Sequence, residues 1–138
     1  MPTELRVECQ LTGTEISNDE ITRRTGISPT RTWKMGDSIQ GTLLRRPSDG
    51  WVVAVSPTTD LDLDASLEAL FKALAPAIQW ISQLPIDSGL RVEIHCAIYL
   101  EDAAPIINLK HRTLAKLAEL GATLDVDIIQ IAPSPSRT

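Results

Sequence analysis

Cysteine, histidine and aromatic residues are scarce in this chain, and each scarcity excludes a class of protein or site. Two cysteines, Cys9 and Cys96, cannot build the disulfide framework of a small secreted domain. The two histidines, His95 and His111, provide no multi-histidine spacing for a metal centre. A run of about 18 apolar residues, the minimum for a transmembrane helix, does not occur. We therefore expect a globular protein that holds no metal and does not insert into a membrane.

The N-terminal segment lacks the apolar centre of a secretion signal. It reads M-P-T-E-L-R-V-E, in which charged and apolar residues alternate as they do in a surface strand. Together with the small number of cysteines, this pattern predicts a cytoplasmic location.

No known catalytic or cofactor signature is present either. The chain has neither a glycine-rich phosphate loop nor a Gly-x-Ser-x-Gly elbow, and no candidate nucleophile is marked by its neighbours. A catalytic triad can be assembled from distant positions, so the spacing of residues in the sequence alone does not exclude one. The formal net charge of −5 argues against non-specific binding to nucleic acid, which needs clustered cations. We predict no catalytic residue and no cofactor, and favour a protein that is not an enzyme.

Hydrophobic periodicity predicts eight elements in the order β-α-β-β-α-β-α-β. Apolar and polar residues alternate most clearly in the first and fourth strands. Ser17 and Glu20 have the spacing of a helix-capping box, Gly26 is suited to end that helix, and Pro76 must kink or restart the longest helix. Asn108 is predicted to cap the last helix, with Leu114 inward. The predicted strands are residues 3–11, 40–46, 51–55, 90–100 and 123–131.

This order predicts an α+β fold. Its first six elements match the ferredoxin-like β-α-β-β-α-β arrangement, to which an α-β unit is appended. Because every clear strand has one polar face, we expect one sheet with helices on one face and an open second face. Residues 1–132 should form a single domain, and residues 133–138 a disordered C-terminal tail.

Positive charge is concentrated between residues 23 and 46, which contain six Lys or Arg residues and a single acidic residue. Arginine and tryptophan are frequent hot-spot residues of protein interfaces, so this segment predicts a surface for an anion or an acidic partner. In the alternative interpretation, this segment is a solvent-exposed helix end and hairpin with one buried tryptophan and no binding role. The candidate partner-binding or ligand-binding residues are Arg31, Trp33, Lys34, Arg45 and Trp51.

Polar residues on the expected open face offer a second, weaker candidate. Carboxylates with an imidazole can bind a divalent metal or transfer protons. Alternating charges are also what a solvated sheet face normally shows, and we favour that interpretation. Cys9 and Cys96, which face inward on strands expected to be neighbours, are predicted to be packing residues. The polar set comprises Glu8, Glu93, His95, Asp125 and Asp127.

Several local patterns together resemble a bacterial family catalogued as domain of unknown function 4279. They are Ile21 to Gly26 followed by Ser-Pro-Thr, then Gly36-Asp37, then Trp51 at the start of a strand, and the segment from Leu114 to Gly121. The resemblance covers roughly residues 3–131. The segment Asp-Ile-Ile-Gln at 127–130 departs from it, because family members carry an aromatic residue near that strand end. The resemblance implies no activity, substrate or cofactor, although domains of this kind are sometimes proposed as immunity proteins.

The leading hypothesis for function is a non-catalytic protein-interaction module, with an immunity-type inhibitor of a toxin as one form. An acidic inhibitor of a cationic toxin would be steered by the segment 60–64 or by Asp125 and Asp127. The alternative is a ligand-binding domain or small enzyme that holds an anionic metabolite near Arg31, Trp33 and Lys34. Exposed strand edges also suggest a homodimer.

Overall fold

The computed structural model describes residues 3–13 and 15–131. Within them the chain forms five strands, four α-helices and one 3₁₀ turn. In chain order these are β1 (Glu4–Thr12), α1 (Asn18–Thr25), β2 (Arg31–Trp33), β3 (Gly50–Ala54), α2 (Leu63–Ala73), α3 (Ala75–Ser82), the 3₁₀ turn (Ile86–Ser88), β4 (Arg91–Leu100), α4 (His111–Leu120) and β5 (Thr123–Gln130). The predicted C-terminal tail, residues 133–138, lies outside the described residues.

The five strands form one mixed sheet in the order β2-β3-β1-β4-β5. All neighbouring strands are antiparallel except β4 and β5, which are parallel. Helix α2 packs on the central strand β1, α1 packs on β3, and α4 packs against α2 and α3. The predicted α+β class with one sheet is therefore confirmed. The five-stranded order is not that of a simple ferredoxin-like sheet.

The alternation in β1 and β4 sorts their side chains as predicted. On the inward face Leu5, Val7, Cys9 and Leu11 of β1 are buried, and so are the alternate residues of β4 from Val92 to Leu100. Cys9 and Cys96 are free, buried thiols on neighbouring strands. Desolvation by burial, reinforced by a nearby carboxylate, raises the pKa of each thiol to about 12. These cysteines therefore pack in the core as small apolar side chains.

The predicted strand at residues 40–46 is wrong. That segment consists mainly of turns and bends, and the strand that pairs with the edge of β3 opposite β1 is the three-residue β2. Gly41, which has a φ of 78°, interrupts the extended backbone that a strand over these residues would need. Thr30, directly before β2, supports the pairing of β2 with β3, because its hydroxyl accepts the Ala54 N–H at 2.9 Å.

The helix boundaries follow local signals in α1 and at the junction of α2 and α3. The Ser17 hydroxyl accepts the Glu20 N–H at 3.2 Å, and Gly26, with φ of 70°, ends α1. The Glu20 side chain forms ion pairs with Arg23 and Arg24. The longest predicted helix is divided at Leu74, because Pro76 has no N–H for the helical ladder and sits in the first turn of α3.

Helix α4 begins differently from its prediction. It starts at His111, and its N-cap residue is Lys110 rather than the predicted Asn108, with no capping hydrogen bond from the Lys110 side chain. A side chain from α2 instead contacts this end of the helix. Asp64 Oδ1 accepts the Lys110 N–H at 3.0 Å and the Thr113 hydroxyl at 2.7 Å. The inward residues of α4 are Thr113, Leu117 and Leu120, whereas Leu114 is exposed. Asp64 thus joins two helices that are distant in sequence.

We predict that Asp64→Asn destabilises the fold in a pH-dependent manner. The hydrogen bond from Thr113, and then that from the Lys110 N–H, lowers the pKa of Asp64 below its ordinary value of 3.8. A carboxylate whose pKa is depressed in the folded state stabilises the fold above the unfolded-state pKa, and this contribution is lost as the pH falls through the folded-state pKa. Removal of the charge should cost about 1–3 kcal/mol near neutral pH.

The measurement is urea unfolding of both proteins from about pH 7 to about pH 2.5. The stability difference should shrink as the pH falls below about 4, the range in which an aspartate protonates. The control is Asp19→Asn, because Asp19 is exposed in the first turn of α1. A pH-independent difference for Asp64→Asn would contradict the assignment.

Candidate functional site

The segment between β2 and β3, residues 34–49, forms an ordered loop that we call the basic loop. Its backbone makes a short irregular ladder, in which the Gly36 N–H donates to the Arg46 carbonyl and the Arg46 N–H donates to the Asp37 carbonyl, both at 2.8 Å. Nearer the tip, the Ile39 N–H donates to the Leu44 carbonyl at 3.0 Å. The loop is therefore held by its own hydrogen bonds although most of its residues are exposed.

Both acidic residues of the basic loop are used to hold its backbone. Asp37 Oδ2 accepts the Lys34 N–H at 2.8 Å, and Asp49 Oδ1 accepts the Met35 N–H at 2.8 Å. Arg45 also donates to the Gly36 carbonyl, at 3.0 Å. The Lys34 and Arg45 side chains remain exposed at the surface. The loop consequently presents cations outward and keeps its carboxylates engaged with backbone donors.

Trp33, the last residue of β2, anchors the base of the loop. Its indole Nε1 donates to the Ser48 carbonyl at 3.1 Å, and the Arg46 guanidinium carbon lies 4.0 Å from the ring centroid. The ring lies against Gly50, at which an added Cβ would be only 2.0 Å from indole Cε2. From the other side, the Asn18 side-chain amide donates to the Trp33 carbonyl at 3.0 Å. Only glycine at position 50 leaves room for this ring.

Three large apolar side chains project from the basic loop. The exposed fractions are 70% for Met35, 103% for Leu43 and 65% for Leu44. Exposed aliphatic side chains that stand on an ordered loop beside cations are typical of a binding surface. The sequence prediction did not include these residues. Their signal is the pair Leu43-Leu44, which follows Gly41-Thr42 and directly precedes two arginines.

The five residues predicted as a binding site do not lie together. Lys34 and Arg45 are on the basic loop, and Trp33 is at its base. Trp51 is fully buried in the core, where its Nε1 donates to the Thr22 hydroxyl at 3.1 Å. The predicted position of Trp51 at a binding surface is therefore corrected. Strand alternation turns the Trp51 side chain inward, opposite Leu11. Arg31 lines the open face of the sheet.

The open face of the sheet contains a shallow groove of about 610 Å³. Arg31 Nη2 lies 2.7 Å from Glu8 Oε2, but this oxygen accepts no hydrogen bond from the described residues, so the contact is an ion pair with poorly aimed N–H groups. The Arg6 guanidinium pairs with Glu4 and lies 5.5 Å from the centroid of the Tyr99 ring. Both arginines in the groove are thus already partly neutralised.

Of the five polar residues predicted on the open face, three are close together. His95 Nε2 is 3.2 Å from Glu93 Oε2, and His95 Nδ1 is 3.7 Å from Asp125 Oδ2. Glu8 is the register partner of His95 on β1, and Asp127 lines the groove. In residues 3–13 and 15–131, no group of three or more His, Cys, Asp or Glu side chains has a geometry that could hold a metal ion. The arrangement is an ion-paired strand surface.

A comparison with family models places the chain in a protein family. The family model described as domain of unknown function (DUF4279) matches residues 3–130. The chain belongs to the DUF4279 family. Searches of the curated proteins and of the solved structures gave no match for this DUF4279 domain. Across its described residues, no helix combines the length and apolarity needed to cross a membrane.

We predict that Gly50→Ala displaces the Trp33 ring and loosens the base of the basic loop. The added methyl group would overlap the indole, and overpacking of this kind costs about 1–3 kcal/mol. Thermal unfolding of Gly50→Ala, Trp33→Ala and the double variant measures the coupling. The cost of Gly50→Ala should largely disappear when Trp33 is replaced by alanine. If the two costs are additive, the ring does not depend on this glycine.

Proposed function

We propose that this DUF4279 domain is a non-catalytic protein-interaction module that binds its partner through the basic loop. The observation that carries the proposal is the exposure of Met35, Leu43 and Leu44 on a hydrogen-bonded loop that also presents Lys34 and Arg45. Burial of a large aliphatic side chain contributes about 1.5–3 kcal/mol. Because the loop is already ordered, less conformational entropy is lost when it binds.

The charges of the loop define the partner's chemistry. Asp37 and Asp49 accept backbone hydrogen bonds within the loop, whereas Lys34 and Arg45 have no ion pair within the described residues. A matching partner therefore has an apolar pocket with acidic residues around it. This complementarity supports a partner surface that is acidic at the point of contact.

The same reasoning changes the form that an immunity-type role would take. In the acidic segment 60–64, Asp62 caps α2 by accepting the Ala65 N–H at 3.3 Å, and Asp64 is buried beneath α4. Asp62 and Asp64 therefore hold helices rather than steer a cationic toxin, whereas Asp125 and Asp127 on β5, the other predicted steering residues, are exposed. An immunity-type inhibitor is one role for the module, and it would then use the basic loop against an acidic patch of the toxin.

We also propose that the fold is a variant of the ferredoxin-like arrangement. The antiparallel order β2-β3-β1-β4, with a helix after β1 and helices after β3, supports this description. Strand β5, which is parallel to β4, is the appended element.

We predict that peptides selected for binding to this domain will combine acidic and apolar residues. The selection uses a displayed random-peptide library on the wild-type protein, with Leu43→Ser/Leu44→Ser as the counter-selection target. Charge reversal in Lys34→Glu/Arg45→Glu should weaken the binding of the selected peptides by about tenfold or more, because both interface cations become anions.

The matched control is Glu15→Lys, which changes the charge of an exposed residue outside the loop. Thermal unfolding establishes that each variant is folded. The proposal fails if the selected peptides bind the loop variants as tightly as the wild-type protein.

The groove on the open face favours a second candidate function, which is binding of an anionic metabolite. Its wall carries Arg6, Arg31 and Tyr99, and its volume is within the range of small-molecule sites. Both arginines already have carboxylate partners, so an anion would have to displace Glu4 or Glu8. One class of anionic compounds should raise the melting temperature, because a ligand that binds only the folded state stabilises it. This gain should disappear in Arg31→Ala and persist in Leu43→Ser/Leu44→Ser.

A further inference from the structure

A second groove lies among helices α2, α3 and α4, away from the basic loop and the open face of the sheet. Its volume is about 710 Å³, which is the size of a small-molecule site. The groove exists because the chain breaks between α2 and α3 at Leu74, while α4 packs against both helices. We call it the helical groove.

The interior of the helical groove is mainly apolar. Phe71 and Ile78, which are buried to more than nine-tenths, line it. Its walls carry the exposed alanines Ala65, Ala69 and Ala75. Small residues at these positions leave a space that leucine or a larger residue would fill. The groove can therefore take up an apolar group without rearrangement of the core.

Three cationic residues, Lys72, Arg112 and Lys116, and two anionic residues, Glu68 and Glu119, line the helical groove. Lys116 lies 3.5 Å from Glu119 and forms an ion pair with it. Lys72 and Arg112 also line the groove, and within the part of the chain that the structure describes neither forms an ion pair. Glu68 is the acidic lining residue left without an ion pair there. Two free cations against one free anion favour a negatively charged group at the edge of an apolar space.

We propose that the helical groove binds a small amphiphilic carboxylate. The apolar tail lies over Phe71 and Ile78, and the carboxylate binds Lys72 and Arg112. Burial of the tail supplies the affinity, because apolar area removed from water is the main favourable term. The cations set the sign of the head group. This site is independent of the basic loop.

Decanoate is the probe, and isothermal titration calorimetry with the intact chain is the measurement. Decyltrimethylammonium, which has the same alkyl chain and the opposite charge, is the matched ligand control. We expect decanoate to bind at one site and the cationic analogue to bind at least about tenfold more weakly. Equal affinity of the two ligands, or no binding of decanoate, overturns the proposal.

Two substitutions locate the site. Ala69→Trp should abolish decanoate binding by filling the groove, and Lys72→Glu/Arg112→Glu should weaken it at least about tenfold. Leu114→Ser is the matched control, because Leu114 is exposed on α4 and does not line the groove. Circular dichroism establishes that each variant is folded. We expect folded variants, because residues 69, 72 and 112 are exposed. Unchanged affinity in either groove variant, or equal loss in the control, places the ligand elsewhere and overturns the proposal.

Discussion

The pairing of β1 with both β3 and β4 is the constraint on which the rest of this domain depends. Strand β1 lies at the centre of the sheet, and its inward residues, from Leu5 to Leu11, meet helix α2. A shift of one residue in its register would turn these side chains to the open face and expose the core. The same register places Glu8 opposite His95, so the polar surface and the apolar core are set by one pairing.

From this centre the chain places the basic loop and the helical groove, two of its three candidate binding regions, at different sites. The basic loop extends from the β2–β3 edge of the sheet, where Trp33 and Gly50 are register partners. The helical groove lies where the helices that cover the sheet separate. The exposed residues of both regions lie outside the hydrophobic core, and residues in such places can vary without loss of the fold.

Local sequence signals predicted those parts of the fold that depend on near neighbours. The alternation in β1 and β4, the cap at Ser17 and the break at Pro76 were all evident within a few residues of sequence. The start of α4 could not be found in this way, because Asp64, which accepts the Lys110 N–H at this end of the helix, is 46 residues from Lys110. The three residues of β2 give too little alternation to predict a strand, and the sequence predicts one at 40–46 instead.

The candidate site shows the same division between local and distant causes. The cations Lys34 and Arg45 were found from composition, and the structure places both on the basic loop. Arg31 lies apart from Lys34 and Arg45, because it is on β2 and pairs with Glu8 of β1. Trp51 is the instructive error, since this residue and its neighbours in β3 belong to a buried strand. Its nearness to cations in the sequence predicts a binding residue, whereas its place in a strand predicts a buried one.

The bond network of Asp64 has a consequence for how the polypeptide acquires its structure. Because the first turn of α4 depends on an acceptor from α2, α4 gains its full stability only after α2 has reached its final position. The two segments should therefore form and open as one cooperative unit, together with β5, which follows α4 and pairs with β4. Amides in α4 and β5 should then share a similar rate of hydrogen exchange, whereas the basic loop, which is closed by its own short-range bonds, opens independently.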